Sequence, residues 1–302
     1  MAFFLDDYDV PVGKWVEGGV DWIRDNAASG LDGFAKIVGF FTNNFEDFLL
    51  WIPAELFIIV VAFFAFWRVS WAFGTFSLIA LLLVGLMDLW DPTMSTLALV
   101  LAASLVALIV GLPIGVAMSR NNYVEMVVRP VLDLMQTMPP FVYLIPAVIF
   151  FGLGKVPGTI ATVIFAMPPA VRLTNLGIRQ VGAENVEAGR AFGCTDRQLL
   201  FKVQLPLALP NIMAGINQTI MLSLSMVVIA SMIGAGGLGN TVLTGIQRLN
   251  VGMGFEGGLG VVILAILLDR ITQSFAPTYG GPQRESLLAR VRRLFGMQSE
   301  SA

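Results

Sequence analysis

The chain has 302 residues, of which 56% are hydrophobic and only 13% charged, and its formal net charge is −3. A mean hydropathy of +0.79 lies far beyond the composition of a soluble globular domain, so the sequence predicts a protein with several membrane spans. With no histidine and one cysteine, the chain has no means of building a histidine-based metal site, a serine–histidine triad or an internal disulfide. We therefore expect no catalytic residue, metal ligand or cofactor in this chain.

The N-terminal segment, 1–50, mixes nine acidic and three basic residues with interleaved apolar side chains such as Trp15, Trp22 and Phe41. This mixture is typical of an amphipathic helix lying in the membrane interface, and we expect it on the outer side. A solvated, partly disordered tail is the alternative.

Seven apolar stretches of bilayer-spanning length, roughly 20 residues each, then follow. Their approximate borders are 51–67, 70–87, 94–118, 131–153, 157–176, 207–232 and 256–275. The first two are separated only by the neighbourhood of Arg68, so a count of six remains open. The predicted fold class is an all-α membrane protein, a helical bundle of about seven spans.

The basic residues set the predicted orientation, because Lys and Arg near span ends are retained on the cytoplasmic side. With the C-terminus inside, only Lys14, Arg24, Lys36, Lys155 and Arg248 of the 18 basic residues lie outside. The inverted topology would exchange the two sets. We therefore predict an external N-terminus and a cytoplasmic C-terminus, with 277–302 as a basic cytoplasmic tail.

The longest polar cytoplasmic segment between spans, 181–206, reads VGAENVEAGRAFGCTDRQLLFKVQLP. Two short helices are predicted here. Gly193 suits a left-handed position that ends the first helix, and Thr195 with Gln198 forms a capping box that begins the second. Pro206 is expected to stop or kink the chain as it re-enters the membrane. An ordinary amphipathic connector is the alternative.

Within this segment, Glu187-Ala188-Gly189, then Gly193, then Val203-Gln204-Leu205-Pro206 resemble the EAA loop of ABC importer permeases. The pattern of that loop is EAA, three residues, G, nine residues and I-x-LP, from which Gly189 and Val203 depart while keeping the size class. The resemblance implies that small residues let a helix sit deep in a separate ATPase. The residues that it assigns to ATPase coupling are Glu187, Ala188, Gly189, Gly193, Val203, Leu205 and Pro206.

Over about 97–274 the chain is similar to the permeases for glycine betaine and proline betaine, through the stretches 136–144, 151–158, 168–174 and 224–233. This resemblance implies a type I ABC importer transmembrane fold in the bacterial inner membrane. It also implies a second permease copy, cytoplasmic ATPase subunits that use ATP and Mg, and an external solute-binding protein. Glycine betaine, proline betaine and choline are not separated, and neither are a homodimer and a heterodimer. The resulting division is 1–50, an added helix pair over 51–90, a core over 91–276, and the tail.

Polar residues recur on one face of the sixth predicted span at Asn211, Gln218 and Ser225. We interpret them as one wall of a translocation path, with packing between helices as the alternative. A second wall is predicted beside the prolines of the fourth span, where an ammonium group would find aromatic rings. Its residues are Gln136, Pro139, Phe141 and Tyr143. The glycine-rich run 234–239 is interpreted as a bend near the external gate, leading into a re-entrant or surface helix.

Two other classes of function compete with an importer permease. A self-sufficient secondary transporter often has an inverted repeat and needs coupling-ion groups within its spans, and no repeat is evident. A membrane-embedded enzyme needs nucleophile–base pairs or metal ligands that this composition does not supply.

Overall fold

A computed structural model describes residues 11–275, and every regular element in this range is helical, as the predicted all-α class requires. The helices are α1 (Val12–Trp51), α2 (Ala54–Arg68), α3 (Trp71–Leu86), α4 (Trp90–Arg120), α5 (Asn122–Thr137), α6 (Pro140–Phe151), α7 (Lys155–Arg179), α8 (Ala183–Ala191), α9 (Asp196–Leu199), α10 (Leu205–Ser225), α11 (Val227–Ser231), α12 (Gly237–Gln247) and α13 (Val251–Gln273). A π-helical turn, Leu200–Gln204, joins α9 to α10. The predicted basic tail and the first ten residues of the N-terminal segment lie outside the described residues.

The centre of the molecule is formed by α4, α7 and α10, which pack closely against one another. Small residues allow this approach, as is common between membrane helices. A β-carbon added to Gly115 of α4 would lie 2.6 Å from the carbonyl oxygen of Val171 in α7. One added to Gly177 of α7 would lie 2.8 Å from Asn211 Cβ in α10. Around this centre, α1 packs against α4 and α7, while α12 and α13 pack against each other and against α4.

The predicted count of seven spans is higher than the helices of 11–275 support. Four helical segments are long and apolar enough to cross a bilayer, and six result if each of two sharply bent helix pairs forms one span. The four are α4, α7, Asp196–Ser231 and α13. The bent pairs are α1 with α2, at 99°, and α5 with α6, at 101°.

The predicted and observed span counts differ partly because of α2 and α3, which have 15 and 16 residues. At 1.5 Å per residue they are about 22–24 Å long, shorter than the ~30 Å hydrocarbon core. The alternative count of six agrees with this upper count, but α2 and α3 are not one merged span, because the chain turns between them and the two helices pack together. The Ser70 side chain caps α3 by accepting a hydrogen bond from Phe73 N, and Gly74 packs directly on the Phe66 ring.

The N-terminal segment is a helix over Val12–Trp51, with non-helical dihedral angles at Ala27. Its second half is held to the core. Thr42 is buried with its hydroxyl 3.3 Å from that of Thr159, and Lys155 Nζ lies 2.5 Å from the Glu46 carboxylate. Its first half exposes Trp15 and Trp22. The predicted helix is therefore present, whereas its location at the outer interface stays a prediction.

Candidate functional site: the coupling loop and the translocation path

The first helix of the coupling loop, defined as residues 181–206, ends in the way that the sequence predicts. Gly193 has a φ of +79° and follows the last residues of α8. Its N–H donates to the Arg190 carbonyl at 2.9 Å, and the Cys194 N–H donates to the Gly189 carbonyl at 3.0 Å. These two bonds form a Schellman motif, in which a left-handed residue satisfies the free carbonyls of the last helical turn. The predicted role of Gly193 in ending α8 is confirmed.

The second helix begins with the predicted capping box. The Gln198 N–H donates to Thr195 Oγ1 at 3.3 Å, and the Thr195 N–H donates to Gln198 Oε1 at 2.9 Å. An additional contact, which the sequence does not reveal, comes from the end of α4. Arg120 donates to the Asp196 carbonyl at 3.2 Å. The start of α9 is thereby tied to a long central helix.

Of the two effects predicted for Pro206, a stop or a kink, the stop does not occur. Helix continues from Asp196 through Ser225, and the π-helical turn immediately precedes the proline. A proline inside an α-helix removes one N–H and its ring clashes with the carbonyl four residues earlier, here that of Lys202. A π-helical turn widens the backbone at this point, and such bulges occur frequently at functional sites. The chain therefore enters the membrane as an uninterrupted helix.

The predicted coupling residues divide into an exposed and an inward group. Glu187 and Ala188 are exposed on α8. Gly189 instead faces its own chain, because an added β-carbon would lie 2.7 Å from Leu199 Cδ1 and 3.6 Å from Val203 Cγ2. The close approach that Gly189 permits is thus between α8 and the following helix.

The remaining coupling residues adjoin the membrane helices. Leu205 is partly buried and Pro206 is exposed. Phe192, which the sequence analysis did not single out, is 89% exposed at the tip of the loop beside Gly193. The signal available for it was an aromatic side chain next to the glycine that ends α8.

A charged network braces the helix ends next to the loop. Glu125 of α5 is only 17% exposed and pairs with Arg179 of α7 at 2.8 Å and with Arg129 at 2.7 Å. Arg179 also donates to the Met118 carbonyl of α4 at 2.8 Å. Because α4, α5 and α7 meet here, these contacts hold the three helix ends together. None was predicted: Glu125 and Arg129 are only four residues apart, whereas Arg179 is far from Glu125 and Met118 in the sequence.

The residues of the predicted second wall lie at a sharp bend between α5 and α6. The predicted fourth span is therefore not one continuous helix. Pro139 is exposed, Gln136 is partly buried and Phe141 is 51% exposed. Tyr143 is buried, and its hydroxyl donates to the carbonyls of Met135 at 2.7 Å and Leu134 at 3.2 Å. The Met135 carbonyl has no helical donor, because the residue four positions later is Pro139, so the Tyr143 hydroxyl satisfies it. The Leu134 carbonyl also accepts the Met138 N–H at 3.1 Å.

The predicted stripe on α10 is only partly continuous. Gln218 and Ser225 are exposed, whereas Asn211 packs against α7, where its amide donates to Gln180 Oε1 at 3.3 Å. Gln218 lines a cavity of about 400 Å³ together with Asn217 and Gln273. The Asn217 side chain bonds to Asp269 of α13 at 2.8 Å. Asp269 is a polar residue within an apolar helix that the sequence analysis missed.

The glycine-rich run forms a bend that is packed tightly into the helices around it. Gly237 has a φ of +67°, and the Leu238 N–H donates to Thr96 Oγ1 at 2.8 Å. The Gly154 N–H donates to the Ile233 carbonyl at 2.8 Å, which joins the bend to the start of α7. The predicted bend into a helix is confirmed, since α12 follows directly.

Known proteins resemble this chain in sequence over most of its length. Residues 105–280 match the family model described as the binding-protein-dependent transport system inner membrane component. The chain is 51% identical over 266 residues to the glycine betaine/proline betaine transport system permease protein ProW of Escherichia coli (strain K12), covering 88% of this chain and 75% of that protein. It is 49% identical over 265 residues to the glycine betaine transport system permease protein OpuAB of Bacillus subtilis (strain 168), covering 88% and 94%.

A solved structure shares the fold. An inward-facing structure of the MetNI methionine ABC transporter matches with a TM-score of 0.56 at 24% identity, covering 62% of this chain and 95% of the matched chain. The similarity confirms the predicted type I ABC importer transmembrane fold.

Proposed function

The chain belongs to the family of binding-protein-dependent transport system inner membrane components, and from this premise we propose that it is the permease subunit of an ATP-driven importer for glycine betaine and proline betaine. The observation that carries the proposal is the identity of 51% and 49% to two permeases named for glycine betaine. Choline is the next solute to test, because it carries the same trimethylammonium group as glycine betaine.

A permease without its own nucleotide site needs a surface through which an ATPase moves it. The coupling loop is suited to this role, because Glu187, Ala188 and Phe192 are exposed while Leu199 and Leu200 are buried. We propose that the exposed side docks on a cytoplasmic ATPase subunit, which uses ATP and Mg. The Arg120 bond to Asp196 and the Glu125 network would then carry displacement of the loop to α4, α5 and α7.

The importer we propose contains two copies of this permease, two ATPase subunits and an external solute-binding protein. Its path lies along the exposed face of α10 that carries Gln218 and Ser225. The N-terminus is external and the C-terminus cytoplasmic, which requires an odd number of crossings and therefore that the short apolar helices α2 and α3 each cross the membrane. This orientation is supported by the position of Arg68 at the end of α2, whose guanidinium lies 5.5 Å from the ring of Phe275 beyond α13. The C-terminal ends of α2 and α13 therefore lie on the same side, which the basic residues predict to be cytoplasmic.

Reconstitution tests the function directly. The permease, co-purified with its ATPase, is placed in proteoliposomes with ATP and Mg inside and the solute-binding protein outside. We expect uptake of labelled glycine betaine that requires both ATP and the binding protein, and that unlabelled proline betaine suppresses. Liposomes with a hydrolysis-deficient ATPase are the control. Uptake that continues without ATP would indicate a secondary transporter, and transport of a solute without an ammonium group would contradict the substrate assignment.

A further inference from the structure

A carboxylate lies between α10 and α13, where both helices are within the helical bundle. Asp269 Oδ1 accepts a hydrogen bond from Asn217 Nδ2 at 2.8 Å and another from Gln273 Nε2 at 2.6 Å. Within residues 11–275 no lysine or arginine forms an ion pair with Asp269, and the next residue, Arg270, is exposed. Asp269 is therefore a charge that amide groups solvate and that no described cation neutralises.

The level of this carboxylate in the bundle follows from the packing of α10 on α7. Gly215, two residues before Asn217, packs against Pro169 and Leu173 of α7. These residues precede the end of α7 at Arg179 by six to ten positions, which corresponds to about 9–15 Å along the helix. Asp269 itself precedes the end of α13 at Gln273 by four positions, about 6 Å, so it lies in the last turns of the bundle on that side. An ionisable side chain between two membrane helices is rare and usually marks a path for a solute or an ion.

A cavity of about 400 Å³ lies in front of Asp269. The two amides that hold the carboxylate, Asn217 and Gln273, are part of the cavity wall. The Asp269 carboxylate therefore lies directly behind these two side chains and not at the cavity surface. The Asn217 Oδ1 atom is buried and accepts no hydrogen bond, whereas Asp269 Oδ1 accepts two. The rest of the wall is formed by Pro210, Met213, Ala214, Gln218 and Met221.

The chemistry of this wall fits one end of a quaternary ammonium solute. Such a group carries a permanent charge that needs a counter-charge, and it has no N–H with which to satisfy acceptors. Its methyl groups require apolar contacts, which Met213, Met221 and Ala214 offer, and methionine adapts well to irregular surfaces. An anion would meet repulsion from Asp269 instead.

We propose that this cavity, the Asp269 pocket, is a transit site that receives the ammonium end of the solute inside the membrane. The inference rests on the proposed function and adds a residue to it. Asp269 acts as a positioning residue: it orients the amides of Asn217 and Gln273 and supplies the counter-charge. Asn217 and Gln218 contact the solute. The competing role for the same contacts is the joining of α10 to α13, as polar groups do between other membrane helices.

Asp269→Asn separates the two roles, because it removes the charge and keeps the shape and one acceptor. In the reconstituted importer we expect the maximal rate of glycine betaine uptake to fall about tenfold, equivalent to a barrier higher by ~1.4 kcal/mol. The half-saturating solute concentration, which the binding protein sets, stays unchanged, as do ATP hydrolysis and the melting temperature in detergent. Asp269→Glu restores part of the rate.

The matched control is Glu256→Gln, which removes one carboxylate from an exposed position near the other end of α13. It should transport at the wild-type rate. Normal uptake by Asp269→Asn would overturn the proposal. A loss of uptake that follows a fall in melting temperature and in the amount of folded protein would also overturn it. In that case Asp269 would serve only to join α10 to α13. Failure of the wild-type importer to take up glycine betaine contradicts the proposed function instead, so the two failures are distinguishable.

Discussion

A left-handed backbone at Gly193 determines how the coupling loop turns, and a substitution there tests the loop without disturbing the membrane core. An added β-carbon meets no atom within 4 Å, so the cost of Gly193→Ala is conformational and amounts to about 1 kcal/mol. We expect Gly193→Ala to lower uptake and ATPase stimulation together. Gly193→Asp should have a larger effect, because it adds a charge where the ATPase docks.

The control for this series is Gly258→Ala, a helical glycine of α13 with open space around it and no positive φ. It should behave as wild type. Co-purification of the ATPase with each variant separates weak docking from poor folding. A Gly193→Asp variant that binds its ATPase and transports at the normal rate would show that the loop does not dock there.

Gly189 shows that one small residue can be required by contacts within the chain as well as by a partner. The loop pattern requires a small residue at this position, and its contact with an ATPase stays a prediction. The structure directs it toward Leu199 and Val203 of the same chain. A small residue is needed in both cases, since either partner occupies the space of a side chain.

The bend between α5 and α6 is stabilised by one side chain, and its loss is measurable. Tyr143→Phe removes the hydrogen bonds from the hydroxyl to the carbonyls of Met135 and Leu134 at the end of α5. Hydrogen bonds between membrane segments contribute about 0.6 kcal/mol on average, so we expect a small fall in the melting temperature in detergent. Uptake per folded transporter should not change.

Tyr123→Phe is the control, because the Tyr123 side chain is 79% exposed and its hydroxyl bonds to no described residue. If Tyr143→Phe instead abolishes uptake at an unchanged melting temperature, the hydroxyl belongs to the translocation path, as the sequence analysis proposed.

The orientation of the whole molecule can be tested with single cysteines in a Cys194→Ser background. Glu184→Cys lies on exposed α8 and Gln247→Cys at the exposed end of α12. In right-side-out vesicles, a membrane-impermeant maleimide should label position 247 and leave position 184 unlabelled, because basic residues hold the loop in the cytoplasm. Permeabilised vesicles should label both. Labelling of position 184 in sealed vesicles would invert the topology, and with it the ATPase-docking role.

Composition and local spacing determined much of this protein without coordinates. The apolar content specified a helical membrane bundle, and the Gly193 turn and the Thr195–Gln198 box were predicted because each involves residues only a few positions apart. Tertiary structure alone decided the span count, the sharp bend between α5 and α6, and the continuation of helix through Pro206. It alone paired Asn175 with Glu125, 50 residues apart, and Asn217 with Asp269, 52 residues apart. Such pairs depend on which helices pack together. A hydrophobic pattern indicates that a helix is buried, but it does not indicate which other helix it packs against.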